Sequence, residues 1–178
     1  MTKAITQRLL KAGCQAGLAL FFTIPFQYCW ACHAPPQEQL IGVDEQLAKA
    51  LDVSVATVVR ATPMDGQMEY EFLVQKRIVG SARGSFTLKF HDTPQRQDEQ
   101  SFDNHQAERF WQRGGGRLFN DTTCLIDPTF VVGHSYLAFV GQPITRRSFE
   151  RIESTSGQLN FNDKWLQYVE AKLRGRQD

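Results

Sequence analysis

The chain has 178 residues, 42% of them hydrophobic and 22% charged, which is enough apolar material for one ordinary domain with a packed core. Twenty Lys and Arg against nineteen Asp and Glu give a formal charge of +1 without any block of like charge, so neither a basic arm for nucleic acid nor an acidic tail is present. Three of the basic residues, Lys3, Arg8 and Lys11, fall in residues 1–31, which hold no acid, so the remainder carries 17 basic and 19 acidic groups.

Behind this basic region, residues 16–26 form an apolar run of signal-peptide length, too short to cross a hydrocarbon core of roughly 30 Å. Pro25 lies near its end, and Cys29 and Ala31 supply small residues at the −3 and −1 positions of a cleavage site. The reading is a signal peptide over 1–31 and a secreted or periplasmic domain over 32–178. Two alternatives keep the same domain on the membrane surface: an uncleaved N-terminal anchor, and a lipidated Cys32. Cleavage removes Cys14 and Cys29 and leaves Cys32 and Cys124. An even pair in an oxidising compartment is most simply a disulfide. Such a bridge closes a loop of about 93 residues, for which chain entropy gives roughly 4 to 5 kcal/mol. A zinc or redox pair is the competing reading, but no CxxC or finger-type His and Cys spacing supports it, and no metal or cofactor is expected.

Prolines make residues 32–36 extended, and Val43, Leu47, Ala50 and Leu51 then recur at helical spacing. Asp52 ends that helix. Residues 53–60 alternate and are rich in β-branched side chains, which predicts a long strand; Pro63-Met-Asp-Gly66 predicts a turn, and residues 69–75 a second strand. Residues 80–84 turn the chain into a third strand over 85–90, with Phe86, Leu88 and Phe90 on one face. The polar stretch 91–101 reads as a mobile loop. A helix is expected from Asp103, where Asp103 and Gln106 have capping-box spacing, with Ala107, Phe110 and Trp111 on its inner face and Gly114-Gly-Gly116 as its flexible end. Residues 135–140 read as an apolar strand. Residues 146–152 read as the last strand, with Arg147, Phe149 and Arg151 on one solvated face together with Arg146 nearby. A polar link over 153–160 leads to a C-terminal amphipathic helix at about 162–174, capped by Asn162 or Asp163 and striped by Trp165, Leu166, Val169 and Leu173. Five modest strands framed by helices match an all-β fold with flanking helices, and within that class a five-stranded Greek-key barrel of the oligonucleotide/oligosaccharide-binding (OB) type.

The chemistry points away from an enzyme. His33, His91, His105 and His134 are scattered over extended, loop, helix and turn positions, with no HExxH and no GxSxG. His91-Asp92 and Asp103-Asn104-His105 could meet over a metal, but polar loop histidines read as surface residues. Asn120-Asp121-Thr122 is a glycosylation sequon in a eukaryotic source. The rival class is an extracytoplasmic enzyme whose site carries no recognised motif.

Cys32, a helix, and then Asp52-Val-Ser-Val-Ala-Thr-Val-Val-Arg-Ala61, followed by Cys124, Phe130, Gly133 and Tyr136-Leu-Ala-Phe139, resemble the netrin-like module of the tissue inhibitors of metalloproteinases. The resemblance covers roughly residues 32–141. It implies that the N-terminal cysteine bonds to the later one, here Cys32 to Cys124. It further implies an inhibitory wedge in which the α-amino group and carbonyl of Cys32 chelate a metalloprotease's zinc while the next side chain enters the specificity pocket. This chain departs from that pattern in having Ala34 where the family has a second cysteine and His33 where it has a small hydroxyl residue. Expected, then, is a secreted, disulfide-closed binding module whose partner is an extracytoplasmic protein such as a metalloprotease. Cys32, His33 and Ala34 form its partner-facing ridge, flanked by residues 125–130.

Overall fold

The computed structural model describes residues 34–81, 84–92, 103–121, 124–141, 143–155, 158–159 and 162–174. The signal segment expected over 1–31, Cys32, His33 and most of the loop expected over 91–101 lie outside them. Pro36 leads into a single 3-10 turn, Gln37–Gln39, and then into α1, Val43–Lys49. Val43, Gln46 and Leu47 of α1 are buried with Ala50, but the helix stops at Lys49 and the backbone turns extended at Ala50. Leu51 is thereby carried off the helical face and is 73% exposed.

β1 (Asp52–Met64) and β2 (Gln67–Val79) are longer than alternation alone indicated, because Pro63 and Met64 pair with Met68 and Gln67 and only Asp65-Gly66 turns. A two-residue Asp-Gly turn suits the twist of a hairpin, with Gly66 at φ 65. β3 (Ser85–His91) pairs along β2, β4 (Ser135–Val140) returns to the free edge of β1 over Asp52–Thr57, and β5 (Phe149–Ile152) pairs with β4. The result is an antiparallel sheet of order β3-β2-β1-β4-β5. It is open: among the described residues β3 and β5 share no ladder. Val59 on β1 and Gln75 and Ile78 on β2 lack cross-strand partners, and such bulges bend and twist the hairpin.

Helices cover one face of the sheet and irregular chain the other. Val53, Val55, Leu137, Phe139 and Ile152 pack against α1, against Phe110 of α2 (Glu108–Trp111) and against α3 (Lys164–Arg174). The α3 stripe is Trp165, Leu166, Val169 and Leu173, as its periodicity predicts, and Asp163 caps it by accepting from Leu166 N at 2.8 Å. On the opposite face Ala56, Val58, Tyr70, Phe72, Phe90, Tyr136, Ala138 and Phe149 lie under Leu118, Ile126 and Phe130. The Phe130 ring meets those of Tyr70, Phe72, Tyr136 and Phe149 edge-on at 4.9–5.3 Å.

Three expectations fail for stated reasons. The helix expected from Asp103 begins only at Glu108, because Asn104 and His105 sit at φ 54 and 56 and cannot continue a helical turn. Asp103 does not cap α2, whose N-cap is Ala107; instead its Oδ2 accepts from Ala107 N at 3.1 Å and holds the turn that leads into the helix. The last strand begins at Phe149 rather than at 146, since residues 146–148 turn and Arg147 runs inward, almost wholly buried. Gly115 and Gly116 are sites of close approach, not a loose helix end: a Cβ on either would overlap the carbonyl of Phe110 or Arg146. The link over 153–160 also contains two short paired strands, β6 (Ser154–Thr155) and β7 (Gln158–Leu159).

Candidate functional site

Two places concentrate polar chemistry. The first is the corner around Cys124. Here the N-terminal segment runs beside the loop after Arg117, and Cys124 Sγ lies 3.9 Å from Ala34 O. Ala34 is exposed, and Cys124 is held at φ 67 by a tight turn in which its N–H donates to Asp121 O at 3.2 Å. Asp121 Oδ1 accepts from Leu125 N at 2.9 Å, closing the same turn. Asn120 joins both segments: its amide donates to Gln39 Oε1 and to Cys124 O, and its Oδ1 accepts from Arg146 Nη2 at 2.9 Å and Nε at 3.2 Å. Arg146 thus serves the clamp, not a solvated strand face. Because the Asn120 amide is consumed inside this network, it is poorly presented as a glycan acceptor; Thr122 of that sequon lies outside the described residues.

Of the flanking stretch 125–130, Ile126, Pro128 and Phe130 are buried and serve the core, whereas Leu125 is 47% exposed. Phe119, across the same turn, is 42% exposed. Among the described residues, Ala34, Leu125 and Phe119 are exposed around the Cys124 turn; Cys32 and His33, the other expected ridge residues, lie outside the described residues.

The second place is interior. His105 is 6% exposed, with Nδ1 2.6 Å from Asp163 Oδ2 and Nε2 3.3 Å from Glu150 Oε2. Burial works against the imidazolium, but the hydrogen bonds and charges of Asp163 and Glu150 outweigh it and raise the pKa from 6.5 to about 9. The other oxygen of Glu150 accepts from Arg117 N at 2.8 Å. The Arg117 guanidinium donates through Nε to Phe149 O at 2.6 Å and lies over the Tyr136 ring at 5.0 Å. Nearby, Arg147 donates to the carbonyls of Phe110, Ile41 and Gln112; the last two also accept from Gly114 N and Gly115 N, so it is the Phe110 carbonyl that depends most on the guanidinium. Burial lowers its pKa to about 10, with Glu150 acting in the opposite sense, so it remains a cation at neutral pH.

Sequence reasoning put His105 on a surface and Arg147 on a solvated strand face, and neither reading survives. Their partners stand 45 and 58 residues away for His105, and 37 and 106 for Arg147. No local spacing encodes such pairs. His91 does not meet His105 either: its Nδ1 lies 3.1 Å from Asp127 Oδ1 at an exposed edge. Among the described residues no cluster of three His, Cys, Asp or Glu could hold a metal, and no helix is long and apolar enough to cross a membrane. Compared with protein-family models, with curated proteins and with solved structures, the chain matches none.

Proposed function

We propose that the chain is an extracytoplasmic binding module of netrin-like, OB-type architecture, with Cys32 bridged to Cys124 and residues 32–34 presented as a partner-facing ridge. The observation that carries this reading is the approach of Cys124 Sγ to Ala34 O, two residues from Cys32, within a corner clamped by Asn120, Gln39 and Arg146. The strand order also favours it, since a fourth strand that returns beside the first of a three-strand meander is the Greek-key connection. A clamped, proline-stiffened segment loses little freedom on binding, which leaves more of its contact energy as affinity. Its partner is an extracytoplasmic protein, with a metalloprotease as the sharpest case: there the free amine of Cys32 would ligate zinc and His33 would enter the specificity pocket.

Intact mass and N-terminal sequencing of the exported protein test the processing, with Cys32 expected as the first residue. An alanine added before Cys32 then tests the ridge, because it displaces the amine while leaving the core alone. Inhibition of a metalloprotease panel by the native form and its loss in the extended form is the expected result. Equal inhibition by both forms would overturn the zinc-chelating wedge.

A further inference from the structure

The buried ionic cluster has no part in that binding reading, and its geometry is that of a device. We propose that Glu150, His105 and Asp163 form a proton-operated latch, which holds residues 103–111 and the N-terminus of α3 against β5 while His105 is an imidazolium and releases them when that proton passes to solvent base.

Three separate elements meet at one ring. His105 comes from the turn before α2, Glu150 from β5 and Asp163 from the cap of α3, with both ring nitrogens engaged on carboxyl oxygens. Only the imidazolium can donate from both nitrogens; a neutral ring keeps one N–H and turns a lone pair toward the other carboxylate. The shorter contact, to Asp163, is the one a single remaining proton would keep. Loss of the second proton therefore turns the contact with Glu150 from attractive to repulsive and leaves that carboxylate buried beside another one.

The backbone around the ring is set against staying put once that bond is gone. Asn104 and His105 are consecutive non-glycine residues in the left-handed region, an arrangement costing roughly 1–2 kcal/mol per residue that persists only where surroundings impose it. Holding it are the ring itself and two bonds to backbone carbonyls, from the Lys164 N–H to Asn104 O at 3.2 Å and from the Trp111 indole Nε1 to His105 O at 2.9 Å. Both bonds end on the elements that the latch would release.

The charged groups facing the ring from every side agree with this assignment. β5 contributes Glu150 and α3 contributes Asp163; Lys164 points its ammonium over the Trp111 ring at 5.2 Å instead. From the 145–148 turn, Arg147 lies over the Phe110 ring at 5.3 Å, and that ring is in turn 4.6 Å from His105. Arg117 brings its backbone N–H to the far oxygen of Glu150. Two anions against one imidazolium favour the held proton, in keeping with the raised pKa.

The test is an NMR pH titration of the histidine ring protons in the full chain, with amide hydrogen exchange followed over the same range. His105 is expected to titrate near pH 9, and the amides of 103–111 and 164–167 to lose protection at that midpoint, beyond the intrinsic base-catalysed rise and beyond any change in β1 and β4. Glu150→Gln, which removes one anion and keeps the shape, should move the midpoint down by a unit or more. His105→Asn, suited to the left-handed backbone, should abolish the step and leave those amides exchanging fast at neutral pH. A His105 midpoint near 6.5, protection unchanged across the titration, or an unmoved midpoint in Glu150→Gln would each overturn the latch.

Discussion

Arg147 and Phe110 are joined twice: the guanidinium donates two hydrogen bonds to the Phe110 carbonyl, at 2.9 and 2.6 Å, and lies over that residue's ring at 5.3 Å. The same guanidinium also reaches Ile41 O at 3.1 Å. One side chain thus ties together the segment before α1, the end of α2 and the turn before β5. Arg147→Lys keeps the charge but loses the planar fork, and Arg147→Ala removes both donors to the Phe110 carbonyl and empties the space of a large buried side chain. Urea unfolding should show Arg147→Ala destabilised by about 3 kcal/mol or more and Arg147→Lys recovering less than half of that. Near-equal stability of Lys and wild type would mean that charge alone matters here.

The pH dependence of stability has a definite sign. The folded state binds the His105 proton more tightly than the unfolded chain does, because the pKa rises from 6.5 to about 9. The resulting stabilisation is complete below about pH 6.5 and is lost as pH rises through about 9. Its full size is on the order of 3 kcal/mol. Unfolding free energies measured from neutral to alkaline pH should fall accordingly, and the fall should be absent in His105→Asn.

The glycines at the end of α2 separate close packing from flexibility. Gly116 sits at φ 134 with the Arg146 carbonyl where a Cβ would be, whereas Gly84 has open space around it and an ordinary φ. Gly116→Ala should lower stability by more than about 2 kcal/mol, and Gly84→Ala should stay within about 0.5 kcal/mol of wild type. Thermal melts of the two variants side by side decide the matter; similar melts would show the 114–116 run to be merely loose.

Thiol chemistry tests the proposed clamp. Denatured, unreduced protein recovered from outside the cytoplasm should show no free thiol, and Cys124→Ala should lower stability by about 2 to 5 kcal/mol. Two reactive thiols in that assay would remove the covalent half of the corner and leave only the Asn120 network.

What the sequence made legible is what is periodic. Phe86, Leu88 and Phe90 alternate because one side of β3 meets a core, and the α3 stripe follows a 3.6-residue period for the same reason, whereas β1 is buried on both faces, Val53 and Val55 toward the helices and Ala56 and Val58 toward Phe130. The α3 cap was legible as Asn162 or Asp163 because capping is local, and Asp163 is the residue that accepts from Leu166 N. The bulges at Val59, Gln75 and Ile78 were not, since they arise from pairing between strands and leave no mark in either strand alone. His105 and Arg147 were misread because burial of a polar residue is decided by distant partners, here Glu150, Asp163 and the Phe110 carbonyl. At the corner, Cys124 was singled out, but Asn120 was considered only as a sequon. Its joining of Gln39, Cys124 and Arg146 depends on three segments converging.

The central position of β1 governs how this chain can be built. On one side it finds β2 at once through the Asp65-Gly66 turn, but its other edge waits for Ser135–Val140. A chain paired only as far as β3 would leave the edge at Asp52–Thr57 bare, a template open to any passing strand. Closure over so long a loop is slow compared with helix formation, in the range of milliseconds to seconds. A chaperone that shields residues 52–57 until Ser135–Val140 pairs with them would act when this sheet is most exposed to pairing with the wrong partner.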